Sequence, residues 1–188
     1  MSSIAVIGSG NIGGTIGEAW RRAGHEVVYG SRSPEPPQTV AIPDAISAAD
    51  VVLLAIPGAG VPQLLAEHGS ALDGRVVIDA TNDLGGERLH HADTYAQHAP
   101  GARFARAFNT LGFEMFAEPS VGGEVADLFW CGPEDAGVER LIADVGLRPV
   151  RVGGIDAIDV VDGVGRLWLT LVFRQGRPRR LAFRMLTD

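Results

Sequence analysis

The residues best placed to do chemistry lie close to Met1. Gly8-Ser9-Gly10-Asn11-Ile12-Gly13 fits the spacing G-x-G-x-x-G. In that pattern the first glycine permits a tight turn, and the second lets backbone approach a pyrophosphate with no Cβ in the way. The third lets a helix lie close against a strand. A helix opening at this point adds N–H donors and a partial positive charge for an anion. The spacing gains meaning from its setting: the apolar run "SIAVIG" precedes it and "NIGGTIGEAWRRAG", with helical periodicity, follows.

A dinucleotide site of this kind normally carries an acid about 20 residues further on, bonded to the adenosine ribose hydroxyls. Here the second apolar run, "HEVVYG", leads into Ser31 and Arg32 instead. A carboxylate would repel a 2′-phosphate, whereas a guanidinium pairs with it and a serine hydroxyl donates to it. The pair predicts NADP(H) in preference to NAD(H). Three further turns follow apolar runs: Ile56-Pro57-Gly58 after "VVLLA", Thr81-Asn82 after "VVIDA", and Asn109-Thr110 after "RFARAF". Ligands of open α/β sheets bind outside the carboxyl ends of the strands. These turns are therefore candidates for the nicotinamide half of a crevice, with ordinary turn chemistry as the alternative.

The missing residues also speak. All 16 basic side chains are arginine, so a catalytic lysine is excluded. His25 and His68 fall at helix ends, away from the expected reaction edge. His90, His91 and His98 sit with Asp93 in a polar stretch whose spacing matches no established metal-ligand pattern. Hydride transfer between two stacked redox rings needs close approach and exclusion of water more than a strong acid. No side chain is therefore assigned as catalytic and none as a metal ligand.

These residues need a scaffold, and the pattern supplies one. Short apolar runs alternate with helical segments: strands at "SIAVIG", "HEVVYG", "VVLLAIP", "GRVVIDATN", "ARFARAF", "DLFWCG" and "LRPVRVGG", with a small strand near Thr39 to Ile42 inside a proline-rich loop. Helices are expected over "PDAISAAD", after "GAG" near Pro62, and over "PEDAGVERLIADVG" with proline in the first turn. Such alternation predicts an α/β, doubly wound parallel sheet covered on both faces. Residues 1–154 would form the nucleotide-binding domain. Residues 155–188 would form a short helical C-terminal extension packed on that domain or on a second subunit, making a homodimer. In that extension Leu167, Trp168, Leu171, Val172 and Phe173 would be buried, with the arginines from Arg166 to Arg184 on the wet face.

Hydrophobic residues make up 46% of the chain and charged residues 21%, enough for a packed core. A net charge of −7 argues against a nucleic-acid partner. The chain shows neither a signal-peptide pattern nor a bilayer-length apolar run, so the expected setting is cytoplasmic with no membrane partner. The single Cys131, inside "LFWCGP", reads as a buried thiol.

"IAVIGSGNIGGTIGEAWRRAGHEVVYGSR", "AFNTLG" and "CGPEDAGVERLIADVGLRPVRVGG", in that order, resemble the coenzyme F420-dependent NADP oxidoreductase family. The resemblance implies a Rossmann-like fold with NADPH on the glycine loop. It places the 2′-phosphate at Ser31 and Arg32, and a deazaflavin pocket to which Asn109, Thr110 and Leu111 contribute. It also implies direct hydride transfer between nicotinamide and deazaflavin. One departure is "GIDAIDVVDGVGRLW", where archaeal members carry a more polar segment over the deazaflavin. Reduction of FMN or FAD, with or without ferric ion, therefore stands as an alternative, as does an NADPH-binding sensor or partner module without turnover.

Overall fold

Three strands are apolar enough to demand cover on both faces, and that requirement organises the chain. The computed structural model describes residues 1–188. β1 (Ser3–Ile7) is followed by α1 (Asn11–Arg22), β2 (Glu26–Ser31), β3 (Val40–Ala41) and α2 (Ile42–Ser47). β4 (Val51–Leu54) runs through a 3₁₀ turn at Gly58–Gly60 into α3 (Val61–His68), and β5 (Val76–Asp79) follows. Then come α4 (Ala92–His98), β6 (Arg103–Arg106), α5 (Glu114–Ala117), the hairpin strands β7 (Ser120–Val121) and β8 (Glu124–Val125), and β9 (Asp127–Cys131). α6 (Ala136–Asp144), β10 (Arg148–Gly153) and α7 (Ile158–Leu169) complete the order, and α7 ends in a π-helical turn at Thr170–Arg174.

Eight strands form one sheet in the order β10-β9-β6-β5-β4-β1-β2-β3. Every residue of β4 and β5 is buried, as is all of β1 beyond Ser3. Strands β3 to β6 on either side of β1 run parallel, so their carboxyl ends share one edge. The expected parallel, doubly wound sheet is thus present, with one difference. β9 meets β6 antiparallel through the single pair Arg106 and Cys131, and β10 then runs parallel to β9. The last two strands are reversed relative to the rest.

The two faces carry separate cores. On one, Ile16 and Trp20 of α1 pack with Phe108, Phe116, Trp130, Leu141 and Ile142. On the other, α2, α3 and α4 contribute Ile46, Leu65 and Tyr95 against Ile7, Val52 and Val77. Trp20 also donates from Nε1 to the carbonyl of Leu141 at 2.8 Å, locking α1 to α6.

Several expectations need correction. The polar stretch from His90 to His98 holds a helix for which no element was expected: α4 occupies Ala92–His98, and His90 is 5% exposed. α6 begins at Ala136, capped by the Asp135 carboxylate accepting from Gly137 N–H at 2.8 Å, so Pro133 precedes the helix instead of opening it. The extension is helical only to Arg174; Gly176 and Pro178 end it, and residues 175–188 run back as an irregular strap. Trp168 and Val172 are buried as expected, whereas Leu167 is 48% and Phe173 63% exposed.

The strap is fastened at many points. Arg179, Arg180 and Arg184 pair with Glu114, Glu118 and Glu124. Trp168 Nε1 donates to the Leu181 carbonyl at 3.0 Å, and Asp127 N–H to the Phe183 carbonyl at 3.0 Å. The six tail arginines lie exposed as expected, and three of them pair with the chain's own acids from that wet face.

Candidate functional site

The glycine loop owes its shape to contacts that only glycine tolerates. Gly8 has φ +104°, and a Cβ there would lie 2.5 Å from the Ala55 carbonyl oxygen. A Cβ on Gly13 would fall 1.9 Å from the carbonyl oxygen of Gly8. Gly10 differs, since a Cβ there would project into open space. It is also the N-cap of α1, which has no side-chain cap and no acid in its first turn. The first N–H groups of a helix lack intrahelical partners, so this end is a ready anion cradle. Gly10, Asn11, Ile12 and Gly13 thus present backbone at an uncapped helix start with open space in front of it.

Beside this cradle lies a cavity of about 450 Å³. Gly8 and Ser9 form one wall, Ser31 and Arg32 at the end of β2 a second, and Ile56 and Pro57 after β4 a third. These expected residues therefore converge. Ser31 Oγ bonds its own loop, donating to the Ser33 carbonyl at 3.0 Å and accepting from Ser33 N–H at 3.1 Å. Arg32 makes no hydrogen bond and no ion pair, so its guanidinium is free to meet a ligand. α3 closes the far side with Gln63, Glu67 and His68. His68 ends its helix as its position implied, yet it lines the cavity, an outcome not legible in the sequence.

Thr81, Asn82, Asn109 and Thr110 are absent from those walls and form a second, buried assembly. The two regions abut, because the turn after β4 presses on the turn after β5: a Cβ on Gly58 would sit 2.4 Å from Asp83 N. At its centre is Arg106, the last residue of β6 and fully buried. Its Nη1 donates to the Thr81 carbonyl, its Nη2 to Asn82 Oδ1 at 3.1 Å, and its Nε to Asp162 Oδ1 of α7 at 2.9 Å. The same Asp162 oxygen accepts from Asn109 Nδ2 at 2.9 Å, and Asn82 Nδ2 donates to the Asn109 carbonyl at 3.1 Å. Asp79, ending β5, places Oδ2 3.2 Å from Arg106 Nη1 without hydrogen-bond geometry. Leu111, 5% exposed, continues the Asn109 turn into the apolar core.

This cluster was not foreseen. Its only signal was that polar Asp79, Arg106 and Asp162 interrupt apolar stretches, and nothing local says that they meet. Burial pushes the Asp162 carboxyl above the usual carboxylate range, with Arg106 opposing. Burial likewise drives the Tyr95 phenol well upward, helped by Asp79. Cys131 is buried as expected, and burial pushes its thiol up to about 12. His90 Nε2 lies 3.3 Å from Asp159 Oδ1 and His91 Nε2 3.3 Å from Asp83 Oδ2, two separate histidine–carboxylate contacts.

The fold is that of a Rossmann-like α/β protein, with its cavity at the carboxyl ends of β1, β2 and β4. Residues 3–83 match the family model for NADP oxidoreductase, coenzyme F420-dependent. The chain is similar, at 27% identity, to the F420-dependent NADP reductase of Methanothermobacter thermautotrophicus, over 97% of this chain and 94% of that protein. The resemblance to the coenzyme F420-dependent NADP oxidoreductase family read from the sequence is borne out. Among solved structures, a candidate F420-dependent NADP-reductase from Arthrobacter sp. fb24 superposes with a TM-score of 0.82 at 23% identity, covering 100% of both chains. A reductive aminase from Aspergillus terreus, in complex with NADPH and ethyl levulinate, gives a TM-score of 0.63 at 20% identity over 95% of this chain and 68% of that one. At these identities the structural likenesses establish the fold. No helix is long and apolar enough to cross a membrane.

Proposed function

We propose that this chain binds NADPH in the cavity between the glycine loop and Ser31-Arg32, and passes a hydride between it and the deazaflavin coenzyme F420. The observation that carries the reading is the unpaired Arg32 at the end of β2, where an NAD-binding chain would carry an acid. The open cradle at Gly10 and the uncapped start of α1 fit the pyrophosphate. When bound, the nicotinamide supplies the hydride. The protein's own part is to hold the phosphates, orient the ring at the carboxyl edge of the sheet and keep water away. The turns at Thr81-Asn82 and Asn109-Leu111 would support the acceptor side, held through Arg106.

Similarity to the methanogen reductase favours F420 as acceptor, and FMN or FAD is the second candidate. Residues 1–154 would be the nucleotide-binding unit, with 155–188 as its brace. The exposed Val160, Leu167 and Phe173 favour a second copy as their cover, which light scattering of the eluted protein would test. The deciding experiment mixes the protein with NADPH or NADH and either F420 or FMN, and follows the visible band of each acceptor. Bleaching of F420 by NADPH, with NADH much slower, is expected. Reduction of FMN alone would transfer the assignment to flavin. NADPH binding with no reduction of either would leave a nucleotide-binding module without turnover.

A further inference from the structure

The cluster around Arg106 contains more carboxylate than the fold requires. Asp79 and Asp162 both face one guanidinium, and all three side chains are at most 4% exposed. A single carboxylate would neutralise Arg106, and Asp79 already stands 3.2 Å away. With both ionised, the trio carries one buried negative charge in excess, which opposes folding even though Asp162 Oδ1 accepts two hydrogen bonds. The surroundings do little to offset it. Asp79 Oδ2, Asp162 Oδ2, Asn109 Oδ1, Thr81 Oγ1 and Thr110 Oγ1 are buried with no hydrogen-bond partner. Groups that cost stability and are nonetheless present are the signature of a functional constraint.

The connections of Asp162 show where that constraint acts. Its Oδ1 holds both Arg106 Nε and Asn109 Nδ2 at 2.9 Å. Arg106 reaches on to Asn82, and Asn82 returns to the Asn109 carbonyl. The four side chains close a ring that fixes the turns after β5 and β6 to each other and to α7. With its Nδ2 taken by Asp162, the Asn109 carboxamide must aim Oδ1 the opposite way, as an acceptor without a partner. Gly165, one turn along α7, allows this approach, since a Cβ there would lie 3.1 Å from the Asn109 carbonyl oxygen.

We propose that Asp162 is a positioning residue for the reaction, which orients Asn109 and the adjoining turns on the acceptor side of the crevice at a cost to the stability of the fold. This rests on the NADPH reading above. The charged and titratable groups facing Asp162 are Arg106 of β6, Asp79 of β5 and His90 of the loop before α4, with Cys131 of β9 beside it. A carboxyl whose folded-state value is raised makes the native state bind more protons than the unfolded chain. Stability is therefore greatest below the unfolded value and falls as pH rises through the folded one. Asp162→Asn removes this term while keeping an oxygen for Arg106 and Asn109.

The test compares wild type with Asp162→Asn and Asp162→Ala by thermal melting between pH 4.5 and 8, by NADPH titration, by bound-NADPH fluorescence and by turnover with F420 or FMN. Asp162→Asn should melt at or above wild type at pH 8, with the difference shrinking toward pH 4.5. Its NADPH Kd should stay within about twofold, and kcat should fall on the order of tenfold or more. Asp162→Ala, which also removes the ring's anchor, should lose more kcat than Asp162→Asn. If Asp162→Asn melts below wild type with turnover falling in step, the residue is structural and the proposal fails. Wild-type kcat in both variants overturns it equally. If wild type reduces neither acceptor, the functional reading fails separately, and nicotinamide fluorescence decides the rest. Altered emission at unchanged Kd supports positioning, whereas unaltered emission refutes it.

Discussion

Replacing Arg32 by alanine removes the one guanidinium in the cavity wall that has no other partner. The backbone there should be unaffected, because Ser31 holds the loop through Ser33. A hydrogen bond to a charged group contributes about 1.5–3 kcal/mol when shielded, and exposed ion pairs only about 0.2–1 kcal/mol. Arg32 stands at an exposed rim and, in the proposed complex, would face a phosphate of nearly two charges, so about 1.5–2 kcal/mol is a reasonable middle value. At 1.4 kcal/mol per decade, this weakens NADPH roughly 10- to 30-fold. NADH, lacking the 2′-phosphate, should change less than about twofold, so the cofactor preference collapses from one side only. Fluorescence titration with both nucleotides measures it, and 2′-phosphorylated AMP against AMP as competitors isolates the phosphate. Raising salt shortens the screening length from about 10 Å at 0.1 M to about 3 Å at 1 M, which should carry the wild-type preference toward that of the variant. Equal weakening of NADPH and NADH, or an unchanged preference, would show that Arg32 does not meet the 2′-phosphate.

The glycine loop offers a contrast between two substitutions. Gly13→Ala forces a Cβ to 1.9 Å from backbone oxygen, so it should cost about 3 kcal/mol or more and lower the melting temperature by roughly 6–12 °C. Gly10→Ala meets nothing within 4 Å and should melt within about 2 °C of wild type, yet bind NADPH on the order of tenfold more weakly because its methyl occupies the cradle. A stable Gly13→Ala or a tight-binding Gly10→Ala would show the loop has been misread. Cys131 should not react with a thiol reagent at pH 8 in the native protein and should yield one equivalent after unfolding, since its thiol is buried and pushed up to about 12.

The sheet was legible because its strands are short apolar runs bounded by glycine and proline, and even two-residue β3 fell where the proline-rich loop suggested. The glycine loop and the Ser31-Arg32 pair were legible for a related reason, since both are local and their chemistry is written in consecutive residues. Contacts made across the chain were not. The meeting of Asp79, Arg106 and Asp162 joins residues 56 apart, from Arg106 to Asp162, and its members look like ordinary strand-end and helix polars. The reversal of β9 rests on one residue pair and leaves no periodic trace. α4 and α5 were missed because "ADTYAQH" and "EMFA" are too short to show a helical repeat. Leu167 and Phe173 are large apolar residues like Trp168 and Val172, and composition does not say which pair faces solvent.

The absence of lysine has a bearing on alkaline conditions. A lysine in place of Arg106 would shed its proton near pH 10 and leave Asp79 and Asp162 stranded, whereas a guanidinium keeps its charge past pH 12. The other buried groups follow the same course. Cys131 holds its proton to about 12, and Tyr95 titrates well above an ordinary phenol. Through alkaline solution, then, the guanidinium at the centre of the cluster keeps its charge while the buried thiol and phenol keep their protons.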